Sequence, residues 1–210
     1  MHLSRHLYIN REKGSYSMKV QKKIMTMVIT ALLCAVGIVI PMFCPKIVLE
    51  PASFTLASHV ALFLAMFISL PVAIVVCLGT TIGFFFAGFP LVVVLRALSQ
   101  IVFVVLGAWF LQHTKNVVNR VIPSTLFSLV MGIIHGACEM MVSSWFYFNG
   151  GENQQGYVVS VLLLVGVGTV IHSMVDYGIA VVIWRAVQNV VRIPVSVHLG
   201  KKKAAKQSVA

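Results

Sequence analysis

Three formally charged side chains interrupt long apolar runs of this sequence: Arg96 in "FPLVVVLRALSQIVFVVLGAWF" (89–110), Glu139 in "GIIHGACEMMV" and Asp176 in "IHSMVDYGIA". Each has a polar companion four residues away. Gln100 follows Arg96, His135 precedes Glu139 and His172 precedes Asp176, so each pair shares one face of a helix. A guanidinium held away from water can bind a carboxylate through two parallel hydrogen bonds, which makes Arg96 a candidate anion anchor. A histidine and a carboxylate can bond to each other, exchange a proton or hold a metal. A fourth cluster, "ASFTLASHV", brings Thr55, Ser58 and His59 together, with Thr55 and His59 on one face if the stretch is helical.

The elements that position these residues follow from composition. Of 210 residues 59% are hydrophobic and 10% charged, a balance that points to an integral membrane protein rather than a soluble domain. A helix crossing about 30 Å of hydrocarbon needs roughly twenty apolar residues. Six such runs can be drawn, at 24–41, 52–69, 71–88, 90–112, 123–147 and 157–185. The expected fold is therefore an all-α membrane protein of six transmembrane helices. The second and third runs meet at Ser69, Leu70 and Pro71, as in a tight helical hairpin, and Pro41, Pro71, Pro90 and Pro123 fall at run ends. Cys34, Cys44, Cys77 and Cys138 lack metal or redox spacing and read as packing residues.

Basic residues orient the spans. Of the 16 lysines and arginines, 14 lie before residue 24, between 113 and 122, or from Arg185 onward. An even number of spans puts these three stretches on one side, and the positive-inside rule makes that side cytoplasmic, with both termini there. The division is a basic tail at 1–23, a membrane domain at 24–190 and a second basic tail at 191–210. The first tail has no apolar core and no small-residue cleavage site, which speaks against a removable signal peptide. No folded basic module suggests a nucleic-acid partner. The opposite side receives "MFCPKIVLEPAS" (42–53) with Glu50, a stiff segment able to act as a lid, and the loop "FNGGENQQG" (148–156) with Asn149 and Glu152.

A charge at mid-bilayer costs about 2.5–3.5 kcal/mol, so Arg96, Glu139 and Asp176 must face protein or water. Counting along the helices puts Arg96, Glu139, His135, Gln100, Thr55, Ser58 and His59 in the outer half, with Trp145 and Tyr147 at the outer end of the fifth span. His172 and Asp176 fall deeper, toward the cytoplasm. Competing explanations stand beside each. Arg96 and Glu139 can be a buried ion pair that sets helix register. His172 and Asp176 can satisfy each other, and Trp145 and Tyr147 suit an aromatic belt. An enzyme of the membrane interior, with His135, Glu139, His172 and Asp176 as metal ligands, is the alternative of a different class. The chain lacks H-E-x-x-H and the two pairs fall at different depths, so neither a metal nor a cofactor is expected.

The block "EPASFTLASHVALFLAMFISLPVAIVVCLGTTIGFFFAGFPLVVVLRALSQ" (50–100), together with "ALLCA" in the first span, resembles the substrate-binding S components of energy-coupling factor vitamin transporters, especially the pantothenate and niacin members. The resemblance implies a high-affinity vitamin-binding subunit of the prokaryotic plasma membrane that is not itself an enzyme. It implies partners, a transmembrane coupling subunit and two cytoplasmic ATPase subunits, whose ATP hydrolysis drives uptake. It also implies that Ala31 and Ala35 form the packing face for the coupling subunit, and that the 42–53 segment gates an outward pocket. Pantothenate is the first expected substrate and niacin the second. Both are carboxylates that Arg96 can anchor. Pantothenate would draw further on Thr55, Ser58, His59 or Asn149, and niacin on an aromatic wall such as Trp145 or Tyr147.

Overall fold

The computed structural model describes residues 2–49, 52–150, 156–190 and 193–200, so Glu50 and Glu152 lie outside the described residues. In chain order the elements are α1 (His2–Phe43), strands β1 (Lys46–Leu49) and β2 (Ala52–Thr55), α2 (Val60–Ile68), α3 (Leu70–Phe86), α4 (Leu91–Ser99), α5 (Ile101–His113) and α6 (Val121–Phe148). A π-helical segment (Val158–Val167) then leads without interruption into α7 (Gly168–Val187).

Among the described residues, four helical stretches are long and apolar enough to cross a membrane: Tyr16–Phe43, Leu91–His113, Val121–Phe148 and Val158–Val187. Helix α3 is a shorter apolar helix of 17 residues, about 25 Å at the α-helical rise. The first helix reaches back to His2, well into the basic segment. The fourth run breaks at Gln100, which ends α4 and begins α5.

The second expected span is corrected. Residues 52–55 form a strand paired antiparallel with β1, in the register Lys46↔Thr55, Ile47↔Phe54, Val48↔Ser53 and Leu49↔Ala52. β-Branched and aromatic residues on both strands favour this pairing. Helix α2 keeps only nine residues, about 14 Å, too short to cross a bilayer. Eight of the nine are buried, so α2 is a core helix sheathed by its neighbours. Phe63 and Phe67 pack with Phe103, Tyr177 and Trp184 at its centre.

A short buried helix must still satisfy its terminal carbonyls. The Ser196 N–H donates to the carbonyls of Phe67 (3.0 Å) and Ile68 (2.9 Å), and the Val197 N–H to that of Phe67 (3.0 Å). The Ser196 hydroxyl donates to Ile68 O as well (3.1 Å). Residues 193–200, placed by their basic surroundings in a tail, are therefore a strap with Ile193 and Val197 buried in the core. At the other end of the turn into α3, Ser69 caps the helix and Pro71 occupies its first turn, as the spacing of "SLP" anticipates.

Glycines set the closest helix contacts. A Cβ at Gly79 would meet Cys34 Sγ at 2.7 Å, which brings α3 against α1. At Gly136 the obstacle is backbone: the added Cβ would sit 2.9 Å from Gly166 O and 3.3 Å from Val170 Cγ2. Gly136→Ala is expected to destabilise the protein by about 1–3 kcal/mol, since a carbonyl cannot swing aside as a side chain can. A lowered thermal midpoint in detergent would report it; an unchanged one would mean that α6 and the π-helical segment separate freely.

Candidate functional site

Below the β1–β2 hairpin lies a cavity of about 300 Å³. Its walls come from the hairpin and from all the helices but α5. Gly37 and Pro41 belong to α1, Lys46, Phe54 and Thr55 to the hairpin, and Thr80 and Phe84 to α3. Phe89 and Pro90 precede α4, which supplies Arg96, with Gln100 at its end; Glu139 comes from α6, and Thr169 and His172 from α7. The turn between hairpin and α2 contributes Ser58 and His59.

Arg96 and Glu139 meet, as their positions in the sequence anticipate. Arg96 Nη2 donates to Glu139 Oε2 at 2.7 Å, with the two side chains 14% and 6% exposed. Glu139 Oε2 also accepts from the Thr169 hydroxyl (2.9 Å), and Oε1 lies 3.3 Å from His135 Nε2. His135 is fully buried, stacked on Phe103 with ring centroids 4.5 Å apart. The carboxylate is thus held on several sides, while the guanidinium is not. Arg96 Nε is buried and has no hydrogen-bond partner among the described residues. An unpaired buried donor of this kind costs about 1–3 kcal/mol, which an incoming acceptor would recover. Thr80, which also lines the cavity, has a buried hydroxyl without a partner among the described residues, packed against α1 where a Cβ at Gly37 would stand 2.7 Å from it.

A second cluster centres on Asp176. Its Oδ1 accepts the Ala57 N–H (2.8 Å), and its Oδ2 accepts the His59 N–H (2.8 Å) and lies 3.1 Å from His59 Nδ1. Asp176 therefore clamps the turn that enters α2, where Ala57 adopts a positive φ of 68°. His172 Nε2 is 3.3 Å from Asp176 Oδ2 and 2.9 Å from Ser58 Oγ. His59 links the two clusters, its ring centroid 4.6 Å from that of His135 and 5.0 Å from that of His172. Its Nε2 is 3.2 Å from the Gln100 amide nitrogen, which donates to it.

This joining corrects the depth assignment, in which the two histidine–carboxylate pairs were to sit apart. The π-helical turns before α7 advance less per residue than α-helix, and His59 stands at the start of a truncated α2 rather than a full turn inside a span. Thr55 and His59 do not share a helical face either: Thr55 ends β2 and His59 precedes α2, although both reach the cavity. Of the residues singled out from the sequence, Arg96, Glu139, Thr55, Ser58, His59 and Gln100 line the cavity, and His135 backs it.

Trp145 and Asn149 are not brought there. Trp145 is 69% exposed, and the Asn149 amide donates to the Trp145 carbonyl at the end of α6 (2.7 Å). Tyr147 packs on Tyr157 and Phe148 instead. The aromatic wall is made by Phe54, Phe84 and Phe89, the last two stacked at 4.7 Å. Nothing in the sequence separates these phenylalanines from lipid-facing ones, and Phe85 and Phe86 beside them are exposed.

The chain is 37% identical over 175 residues to the niacin transporter NiaX of Lactococcus lactis subsp. cremoris (strain MG1363), a span of 82% of this chain and 79% of that one. No protein-family model matches the sequence, and no solved structure matches it.

Proposed function

Because this chain belongs to the family of substrate-binding S components of energy-coupling factor vitamin transporters, we propose that it binds niacin, as nicotinate, in the cavity beneath the β1–β2 hairpin. The observation that carries the assignment is the guanidinium of the cavity-lining Arg96, which is paired through Nη2 and has a buried Nε without a partner among the described residues. A carboxylate accepting from Arg96 would satisfy that donor without displacing Glu139 from Nη2. The pyridine ring would lie against Phe54, Phe84 and Phe89.

Pantothenate, ranked first from the sequence, yields to niacin. Ser58 and His59, wanted for its hydroxyl and amide groups, are already engaged with His172 and Asp176, and Asn149 is away from the cavity. The relative named for niacin supports the same order. Calorimetric titration of the detergent-solubilised protein with nicotinate, nicotinamide and pantothenate tests the assignment. Nicotinate is expected to bind, nicotinamide to bind at least tenfold more weakly for want of the carboxylate, and pantothenate not to compete. Equal affinity for nicotinate and nicotinamide would remove Arg96 as the anchor.

The same reading makes the chain a multi-pass protein of the cell membrane with both termini cytoplasmic and no ATPase of its own. Both termini share a side if the chain's second passage is made inside the bundle by the short core helix α2 with the β1–β2 hairpin above it, rather than by a helix of spanning length, before α3 returns it. Import would be driven by ATP hydrolysis in two partner ATPase subunits, transmitted through a transmembrane coupling subunit. Helix α1 is the least enclosed of the four long apolar stretches, and Ala31 and Ala35 are exposed on it beside Val28, Leu32 and Val39. Such small residues let a second helix approach closely. Replacing Ala31 and Ala35 together by leucine is expected to leave vitamin binding intact and to prevent co-purification with the coupling subunit. Normal assembly of that variant would assign the alanines to lipid.

A further inference from the structure

We propose that Ser58, His59, His172 and Asp176 form a binding site for a divalent transition-metal cation, zinc above all, at the floor of the cavity. Four ligand-type atoms cluster here, and one ligand atom from each of His59, His172 and Asp176 lies within 4.8 Å of the other two. Ser58 Oγ lies 2.9 Å from His172 Nε2, 3.2 Å from His59 Nδ1 and 3.5 Å from Asp176 Oδ2. Asp176 Oδ2 lies 3.1 Å from His59 Nδ1 and 3.3 Å from His172 Nε2. If the two imidazoles close to the same spacing, the four donors would form a tetrahedron with edges of about 3.3 Å and stand about 2.0 Å from its centre, the distance at which zinc takes nitrogen and oxygen ligands. Two imidazoles and a carboxylate are a common zinc donor set, with the fourth position left to a hydroxyl or water.

Charge points the same way. Glu139 has Arg96, but no lysine or arginine among the described residues lies within 4.0 Å of the Asp176 carboxylate, which is fully buried. Burying an anion in a membrane domain without a counter-charge is costly, and a divalent cation would supply one. With both histidines neutral, the cation would also leave the cluster with a net positive charge facing the cavity, which suits an anionic ligand.

The surroundings fit metal-bound histidine. His59 would ligate through Nδ1, leaving a proton on Nε2. A half-turn of the Gln100 amide, now 3.2 Å away, presents its oxygen to accept that proton and so fixes the ring's tautomer. Asp176 Oδ1 and Oδ2 keep their backbone N–H donors from Ala57 and His59, which orient the carboxylate for ligation. The cation would then tie the turn before α2 to α7.

The test is metal binding by the full chain in detergent, with no vitamin present, so its outcome stands apart from the niacin assignment. The protein is stripped with a chelator, titrated with Zn²⁺ by calorimetry, and loaded with Co²⁺ as a spectroscopic probe. The wild type is expected to take up about one equivalent of zinc, to show the intense visible absorption of tetrahedral cobalt, and to melt at a higher temperature with zinc bound. His172→Gln, at a partly exposed cavity position that does not bond the α2 turn's backbone, is expected to weaken zinc by at least about tenfold and to lose the cobalt signature. A wild type that binds no more zinc than His172→Gln overturns the proposal. So does loss of zinc in Glu139→Gln with His172→Gln unaffected, which would move the cation to the group of His59, His135 and Glu139.

Discussion

Arg96→Ala is expected to abolish high-affinity nicotinate binding. Removing the charged partner of a carboxylate in a desolvated site costs about 2–5 kcal/mol, or roughly 30-fold to several thousand-fold in Kd. The structure complicates the simple substitution, because Glu139 would lose the guanidinium that neutralises it and remain buried. Stranding one member of a buried pair destabilises a fold by about 3–5 kcal/mol. The informative comparison is therefore Arg96→Met combined with Glu139→Gln, which removes both charges and keeps similar volumes. That double variant should fold, as judged by elution as a single species and by its thermal midpoint, and should still fail to bind nicotinate. Binding at wild-type strength in the folded double variant would make the Arg96–Glu139 pair a purely structural tie. Arg96→Lys separates charge from geometry: a single ammonium cannot reproduce donors fixed in a planar fork, so partial binding is the expected result.

Asp176→Ala should cost about 3–5 kcal/mol of stability. The substitution leaves the N–H groups of Ala57 and His59 without acceptors in a buried turn, and removes the partner of two histidines. The damage should spread to the hairpin, because the turn that Asp176 holds joins β2 to α2. Hydrogen exchange would show it as faster exchange of the backbone amides from 54 to 60, and a denaturant titration as a lowered midpoint. Asp176→Asn retains one acceptor and should fall between. If Asp176→Ala were as stable as the wild type, the turn would be held by the β1–β2 pairing alone.

Much of this protein is written in local patterns. Hydropathy and run length determined the class and the four long apolar stretches, because lipid demands length and apolarity from each helix separately. The helical period determined which polar residues travel together: Arg96 with Gln100, His135 with Glu139, and His172 with Asp176. The meeting of Arg96 with Glu139 also followed from counting depth along neighbouring spans.

Tertiary structure decided the rest. The 52–59 stretch is apolar enough to pass for the start of a span, yet becomes a strand and a turn, because β2 pairs with β1 and Asp176, 119 residues beyond Ala57 in sequence, receives the turn's N–H groups. Helix α2 stops at Ile68 with its carbonyls capped by Ser196 and Val197, a contact that no window of sequence around either segment contains. His59 touches both histidine–carboxylate pairs only because the turn and the π-helical turns before α7 change the depth that ideal helices would assign. Phe84 faces the cavity while Phe85 and Phe86 face outward. Periodicity states which residues share a face; where that face is directed depends on contacts between distant segments, and those form only when the chain is folded.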